Sequence, residues 1–243
     1  MEISENIVEY YDELFPVTES QKSFYADEMS LFPKPVKMLR VGCGTGTFEH
    51  TLAKDGIDVT GLETFQTLLD SANRKRRTQL MSLRFFQMST LEMARFLGKG
   101  FYHIISMLDG RIILIHDQTL IRKFFFDCKQ LLAKDGHLIL SLPNFEKFST
   151  VPMATLPDRK SIRTSLFTQV WTRDNGEKTI QFDLENSSGK VVPLIRDEPI
   201  YPLTKTEIAV YAKEAGFAHC EFYADFKKTP FSQESDYLYV RIF

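Results

Sequence analysis

The sequence predicts an α/β protein: a parallel sheet with helices on both faces, joined late in the chain by an antiparallel β insertion. Three observations carry this. Between residues 36 and 142 short apolar runs alternate with helical patterns, the rhythm of parallel strands joined by crossover helices. Between residues 160 and 200 helical periodicity disappears and turn signals separate β-like runs. The length, 243 residues, suits one large domain with an insertion better than two independent domains. Hydrophobic residues at 43% and charged residues at 26% argue against disorder, and a net charge of −2 argues against a general nucleic-acid binder.

The elements follow in order. Residues 5–31 carry two helical patterns. Ile7, Tyr10, Tyr11 and Leu14 recur at helical spacing in the first. After Pro16, Thr18 and Ser20 are candidate N-caps for a second helix running to about Leu31, and Pro33 and Pro35 break it. Strands are expected over 36–41, 57–62, 83–86, 101–106 and 137–142, with helices over 47–54, 65–77, 91–97 and 117–133 between them. Gly56 closes the first of these helices and Asp135-Gly136 the last. In the insertion, β-like runs cover 163–172, 178–185 and 191–195, punctuated by Asp174-Asn175-Gly176 and Ser188-Gly189. A helix over 207–215 and strands over 217–223 and 237–243 complete the chain.

Several classes are excluded or disfavoured. Cys43, Cys128 and Cys220 are too scattered for a disulfide framework or a metal site. The acidic, polar N-terminus is no signal peptide, and no apolar window is long enough to span a bilayer. The expectation is a soluble, cytoplasmic protein without a membrane partner. The basic run Arg74-Lys75-Arg76-Arg77 sits at a helix end, where positive charge suits the dipole, and no aromatics interleave it. Nucleic acid is therefore not an expected partner. Phe124-Phe125-Phe126 reads as a buried helix face.

The sharpest local feature is Val41-Gly42-Cys43-Gly44-Thr45-Gly46, between a strand and a helix. Glycines let the backbone turn tightly and approach a ligand closely, and the helix start offers free N–H groups. The spacing differs from the dinucleotide fingerprint, which disfavours a nicotinamide dehydrogenase. Glu63, 21 residues after Gly42 and at the end of the second strand, can accept hydrogen bonds from both hydroxyls of a ribose. Loop, helix and acid together place an adenosine at the carboxyl edge of the sheet.

These residues, with DVTGLETF (58–65), AKDGHLILSLPNF (133–145), YPLTKTEIAVYAKEAGF (201–217) and YYDELFP (10–16), resemble the class I S-adenosylmethionine (SAM)-dependent methyltransferases. More narrowly, they resemble the small-molecule type with a β insertion before the last helix. The resemblance implies a Rossmann-like, seven-stranded, mostly parallel sheet whose last strand is antiparallel. It implies SAM as cofactor and S-adenosylhomocysteine (SAH) as product. It divides the chain into a SAM-binding domain, 1–145 and 201–243, with 1–31 as a helical lid, and an insertion, 146–200, as a substrate cover. Carried over by position, Gly42, Gly44 and Gly46 line the methionine moiety, with Cys43 and Thr45 between them. Glu63 holds the ribose hydroxyls, and Thr64 and Phe65 lie beside the adenine. Met88, Ser89 and Thr90 form the loop that caps it. Leu108 lies under the cofactor, and Tyr11 closes over it from the lid. One departure stands out: Ser89 occupies the place where the family has an Asp for the adenine amine, with Glu92 as an alternative acceptor.

Methyl transfer from a sulfonium is an in-line displacement on an activated carbon, so no catalytic triad is required. Substrate-facing candidates come from the carboxyl edge. Asp109 can orient an amine or take a proton, and Arg111 can clamp a carboxylate or phosphate. Asn144 and Tyr201 complete the catalytic set. His116, Trp171, Arg163, Arg173 and Arg196 read better as surface residues, Asp117 as a helix cap, and Cys43 as a small residue the loop tolerates rather than a nucleophile. The expected function is methyl transfer to a small-molecule acceptor by a monomer or homodimer. An RNA or protein methyltransferase and a non-catalytic SAM/SAH-binding domain are the alternatives. The scaffold does not fix the acceptor atom.

Overall fold

A computed structural model describes residues 6–75, 82–147 and 151–243. β1 (Lys37–Val41) runs through the middle of the sheet, parallel to β2 (Asp58–Glu63) on one side and β4 (Tyr102–Met107) on the other. β3 (Leu83–Gln87) pairs with β2, and β5 (Leu132–Pro143) with β4, both in parallel. β11 (Tyr237–Ile242) inserts antiparallel between β5 and β10 (Cys220–Tyr223). The order is β10-β11-β5-β4-β1-β2-β3, the expected seven-stranded, mostly parallel sheet.

Successive strand residues point to opposite faces, and both faces are apolar. Met38 and Ile104 join one core with Phe24, Tyr25, Phe48 and Leu52; Leu39 and Ile105 join another with Phe124, Phe125 and Ile208. Helices α2 (Glu19–Ser30), α3 (Thr47–Lys54) and α4 (Gln66–Lys75) supply the first core. The short α5 (Met93–Phe96), α6 (Gln118–Leu131) and α7 (Lys205–Glu214) supply the second. Caps fall where the sequence places them: Thr18 accepts from Gln21 N–H, and Asp117 from Leu120 N–H. Thr204 and Glu207 form a reciprocal capping box on α7. Arg76 and Arg77 of the basic run lie outside the described residues.

Two expectations are corrected. The helix expected over 117–133 ends at Leu131, because Leu132 turns extended and pairs with Tyr102 in the ladder. Asp135-Gly136 therefore forms an irregularity at the start of β5, not a helix cap. The insertion has four strands, not three: β6 (Met153–Lys160), β7 (Thr164–Thr172), β8 (Lys178–Asn186) and β9 (Val191–Ile200), in that order. β6 and the second half of β9 contain Pro157 and Pro199, which hide their strand character. Both are edge strands, where a missing N–H is tolerated, and register shifts occur in both pairings.

The first helix, α1 (Asn6–Leu14), bridges the two sheets. Ile7, Tyr11 and Leu14 pack with Phe65 and Leu68 below and with Leu166, Leu184, Leu194 and Ile195 of the insertion above. No helix among the described residues is long and apolar enough to cross a membrane.

Candidate active site

The loop after β1 is held close to β2: the N–H groups of Gly42 and Cys43 both donate to the Leu62 carbonyl, at 2.8 and 2.9 Å. Gly42 and Gly44 have φ of +74° and +59°, which L-residues avoid. Side chains there also lack room. A Cβ on Gly44 would collide with the Tyr11 ring, and one on Gly42 would lie 3.0 Å from Arg111 Cγ. Tyr11 and Arg111 thus lie directly over the loop.

Glu63 ends β2 and is almost fully buried. Its Oε2 accepts from Gly44 N–H at 2.9 Å, and its Oε1 from the N–H groups of Thr64 (2.9 Å) and Phe65 (3.1 Å). Arg111 Nη2 approaches Oε2 at 3.5 Å and donates to the Tyr11 hydroxyl at 3.2 Å. Burial alone would lower the Arg111 pKa, but the Glu63 charge outweighs it, so the guanidinium stays protonated. Burial pushes the Tyr11 hydroxyl up to about 12, partly opposed by Arg111.

Three cavities meet here. The first, about 210 Å³, is lined by Gly42, Glu63, Phe65, Met88, Ser89 and Arg111 among others, with Thr64 and Thr90 at its edge. The Ser89 hydroxyl and N–H both donate to Glu92, which fixes that loop. The second, about 60 Å³, is polar and lies between α1 and the loop, with Tyr11, Cys43, Thr45, Leu108 and Asp109 in its wall. Its floor is the buried Arg40–Glu49 pair at 2.8 Å. The third, about 100 Å³, is an apolar chamber under the insertion. Ile7, Leu166, Ile180, Phe182, Leu194 and Ile195 wall it; Tyr11, Asp109, Arg111, Arg159 and Tyr237 gather at its mouth.

Asp109 follows β4 with a φ of +57°, an unusual value for a side chain other than Gly. Its N–H donates to Ser141 Oγ and its carboxylate accepts from Arg159 at 2.9 Å. Arg159 also lies over the Phe15 ring. Cys43 is buried, which pushes its thiol well above the usual range, in keeping with a packing residue.

The structure thus brings together Tyr11, Gly42, Cys43, Gly44, Thr45, Glu63, Thr64, Phe65, Met88, Ser89, Thr90, Leu108, Asp109 and Arg111. It does not bring in three others. Gly46 backs onto Phe85 and Ala72 and caps α3 from behind the loop. Asn144 spends its side chain on the carbonyls of Gln233 and Ser235 and on Glu146 N–H, locking two loops together. Tyr201 donates to Glu207 Oε1 at 2.5 Å within the α7 cap. His116 is exposed and lines none of the three cavities. Sequence reasoning missed Asp12, Arg159, Phe182 and Tyr237. No local signal marks them, because each reaches the site from a distant segment.

A family model described as "Methyltransferase domain" matches residues 38–136. A protein of Geobacillus sp. (strain WCH70), named as a methyltransferase, is 26% identical over 216 residues, covering 82% of this chain and 81% of that one. The CcbJ methyltransferase of Streptomyces caelestis superposes with a TM-score of 0.77 at 16% identity, over 97% of this chain and 95% of that chain. Residues 38–136 thus match a methyltransferase domain, and the chain as a whole shares its fold with solved methyltransferases. A SAM-bound amino pentose methyltransferase, CalS10 of Micromonospora echinaspora, shares the fold with a TM-score of 0.67 at 15% identity, over 97% of this chain and 96% of that chain.

The residues present fit that cofactor. Glu63 is a buried carboxylate able to accept from a vicinal diol. Met88, Leu114 and Ile115 offer apolar surface to a base, with Ser89 and Thr90 at the polar edge. One adjustment is required. Arg111 lies across the space between Glu63 and Gly42, so a ribose on Glu63 displaces its guanidinium.

Proposed function

We propose that this chain is a SAM-dependent methyltransferase that acts on a small molecule held in the chamber between α1, Asp109 and the insertion. The observation that carries the reading is enclosure. The chamber is roofed by the inner faces of β7–β9 and closed at one side by α1. An RNA strand or a folded protein needs an open face at the methyl group, whereas a small acceptor is sealed from water by such a cover. Residues 146–200 then serve as the acceptor cover and 1–31 as the lid; residues 1–5 and 148–150 lie outside the described set.

When bound, SAM supplies a methyl carbon already activated by its sulfonium. The chain's own residues position and shield. Glu63 accepts the ribose hydroxyls while its three backbone donors hold the carboxylate rigid. Thr64, Phe65, Met88, Ser89 and Thr90 surround the adenine. Gly42, Cys43, Gly44, Thr45 and Leu108 shape the methionine channel, and Tyr11 covers it. Asp109 and Arg111 face the acceptor. Holding nucleophile and methyl in near-attack geometry provides most of the acceleration such a site can give.

The test is calorimetric titration of SAH into the wild type and Glu63→Ala. Loss of a charged acceptor from two hydroxyls is expected to weaken SAH by about 100-fold. Equal affinity in a folded variant overturns the assignment of the site.

A further inference from the structure

We infer that the acceptor is an amphiphilic carboxylate: an apolar body fills the chamber, and its carboxylate is held at the mouth by Arg159 and by Arg111 once ribose has displaced Arg111 from Glu63. This deepens the small-molecule reading and rests on it.

The chamber is charged at one end only. Apart from the Thr168 hydroxyl on β7, its walls are aliphatic and aromatic residues of α1 and the insertion, and its charged groups cluster where β4 ends. A polyhydroxylated acceptor would leave hydroxyls unpaired against Leu166, Ile180 and Leu194, whereas an alkyl or aryl body gains from burial there.

Arg111 couples the two cavities because it lines both. Of the five contacts on the Glu63 carboxylate, those from Arg111 and from the Thr64 hydroxyl are the longest, at 3.5 Å against 2.9–3.1 Å for the three backbone N–H groups. Arg111 alone lies across the cavity between Glu63 and Gly42, so its contact is the one that ribose hydroxyls replace. A guanidinium only 15% exposed then retains only neutral direct partners, the Tyr11 hydroxyl and the Phe65 ring. A buried charge without an anion is costly, and the chamber is the adjoining space. With Asp109 already paired to Arg159, the mouth then carries two guanidiniums and one carboxylate. A single negative charge on the acceptor restores balance.

The absence of a base at the mouth agrees. Among the described residues, no histidine lines the chamber, Asp109 is paired with Arg159, and the Tyr11 hydroxyl holds its proton. A carboxylate needs no deprotonation. Its oxygen lone pair forms the O–CH3 bond as the C–S bond breaks, the electron pair passes to sulfur as a neutral thioether, and no proton moves. An ammonium must first lose a proton, which nothing here is free to take.

The experiment compares octanoate, octylamine and 1-octanol as calorimetric titrants of the SAH-loaded and SAH-free protein, with butanoate and hexanoate added for length. Octanoate is expected to bind the SAH-loaded protein at least about 10-fold more tightly than either analogue and than it binds the SAH-free protein. Affinity should rise from butanoate to octanoate. Arg159→Gln that still binds SAH should lose the acid preference. With methyl-labelled SAM, octanoate should yield label that alkali releases as methanol, the signature of a methyl ester. Octylamine binding as tightly as octanoate, octanoate indifferent to SAH, base-stable label, or SAH binding with no binding of any probe overturns the inference alone. Failure of folded wild type to bind SAH removes the small-molecule reading as well. If Arg159→Gln does not fold, the wild-type series decides.

Discussion

At the carboxyl ends of β1 and β2, the groups closest to Glu63 are backbone N–H donors of residues 44, 64 and 65, fixed by the loop and by the turn that follows β2. Across the cavity, the insertion works with long side chains. Arg159 reaches Asp109 across 50 residues of chain, and Arg163 reaches Glu13 across 150. The side proposed for the cofactor is built from local backbone geometry on a buried sheet; the side proposed for the acceptor is assembled by distant pairs on a smaller, edge-exposed one. A site that serves one invariant ligand gains from rigidity, while a cover that receives the variable partner can be re-specified by changing a few side chains.

The largest expected effect breaks the rigid side. Arg40 donates to Glu49 at 2.8 Å and to Ser106 Oγ at 2.9 Å, beneath the glycine loop, with both charged side chains buried. Arg40→Met strands the Glu49 charge. Removing one partner of a buried pair costs about 3–5 kcal/mol, so urea unfolding should show a loss of that size. A loss below about 1 kcal/mol would mean that water reaches the pair, and the contrast in rigidity would fail.

The same contrast explains what was legible. Thr47–Lys54 is a helix and the strand after it ends at Glu63, because both are written in local periodicity and in the glycines. The glycine loop and Glu63 could be read as a site because loop, helix and strand end lie within 22 residues. Asp12, Arg159 and Tyr237 could not, since nothing in their neighbours specifies a contact 33, 50 or 94 positions away with Thr45, Asp109 or Pro143. Asn144 shows the converse. A polar residue after a strand reads as a cleft residue, but its partners, Gln233 and Ser235, lie in a loop some 90 residues on, and they consume it. Pro157 hid β6 because a proline argues against a strand unless the strand is known to be an edge.

A smaller effect concerns the latch between the two sides. Asp12 on α1 accepts from Thr45, Thr47 and Lys75, tying α1 to the loop and to α4. Burial pushes its carboxyl up, but these three hydrogen bonds outweigh it and hold it below the ordinary value of 3.8. A depressed carboxylate stabilises docking above the unfolded pKa and loses that contribution as pH falls through the lower folded value. SAH affinity should therefore be flat from neutral pH down to the carboxylate range and fall only below it. Asp12→Asn should bind SAH about 5-fold more weakly at pH 7, since the group is half exposed and its hydrogen bonds are partly screened. The variant should also lose the acid dependence. A wild-type affinity that falls already at pH 5–6 would point to a histidine and away from this latch.

The smallest effect is expected where the insertion meets α1 in the open. Arg163 donates to Glu9 at 2.9 Å and also contacts Glu13, and it lies over the Tyr10 ring, but Arg163 and Glu9 are solvent-exposed and Glu13 is only partly buried. Screening and side-chain entropy cancel most of such pairs. Arg163→Ala should leave the melting temperature unchanged within error, because Ile7, Tyr11 and Leu14 still pack against Leu166, Leu184 and Leu194. Limited proteolysis should cut the β6–β7 hairpin slightly faster, since the ion pairs supplement the Leu166 packing that holds that hairpin to α1. A clear fall in melting temperature would show that the insertion, like the sheet below it, depends on its charges for stability rather than on its apolar face, and the difference between the two sides would shrink to one of chain distance alone.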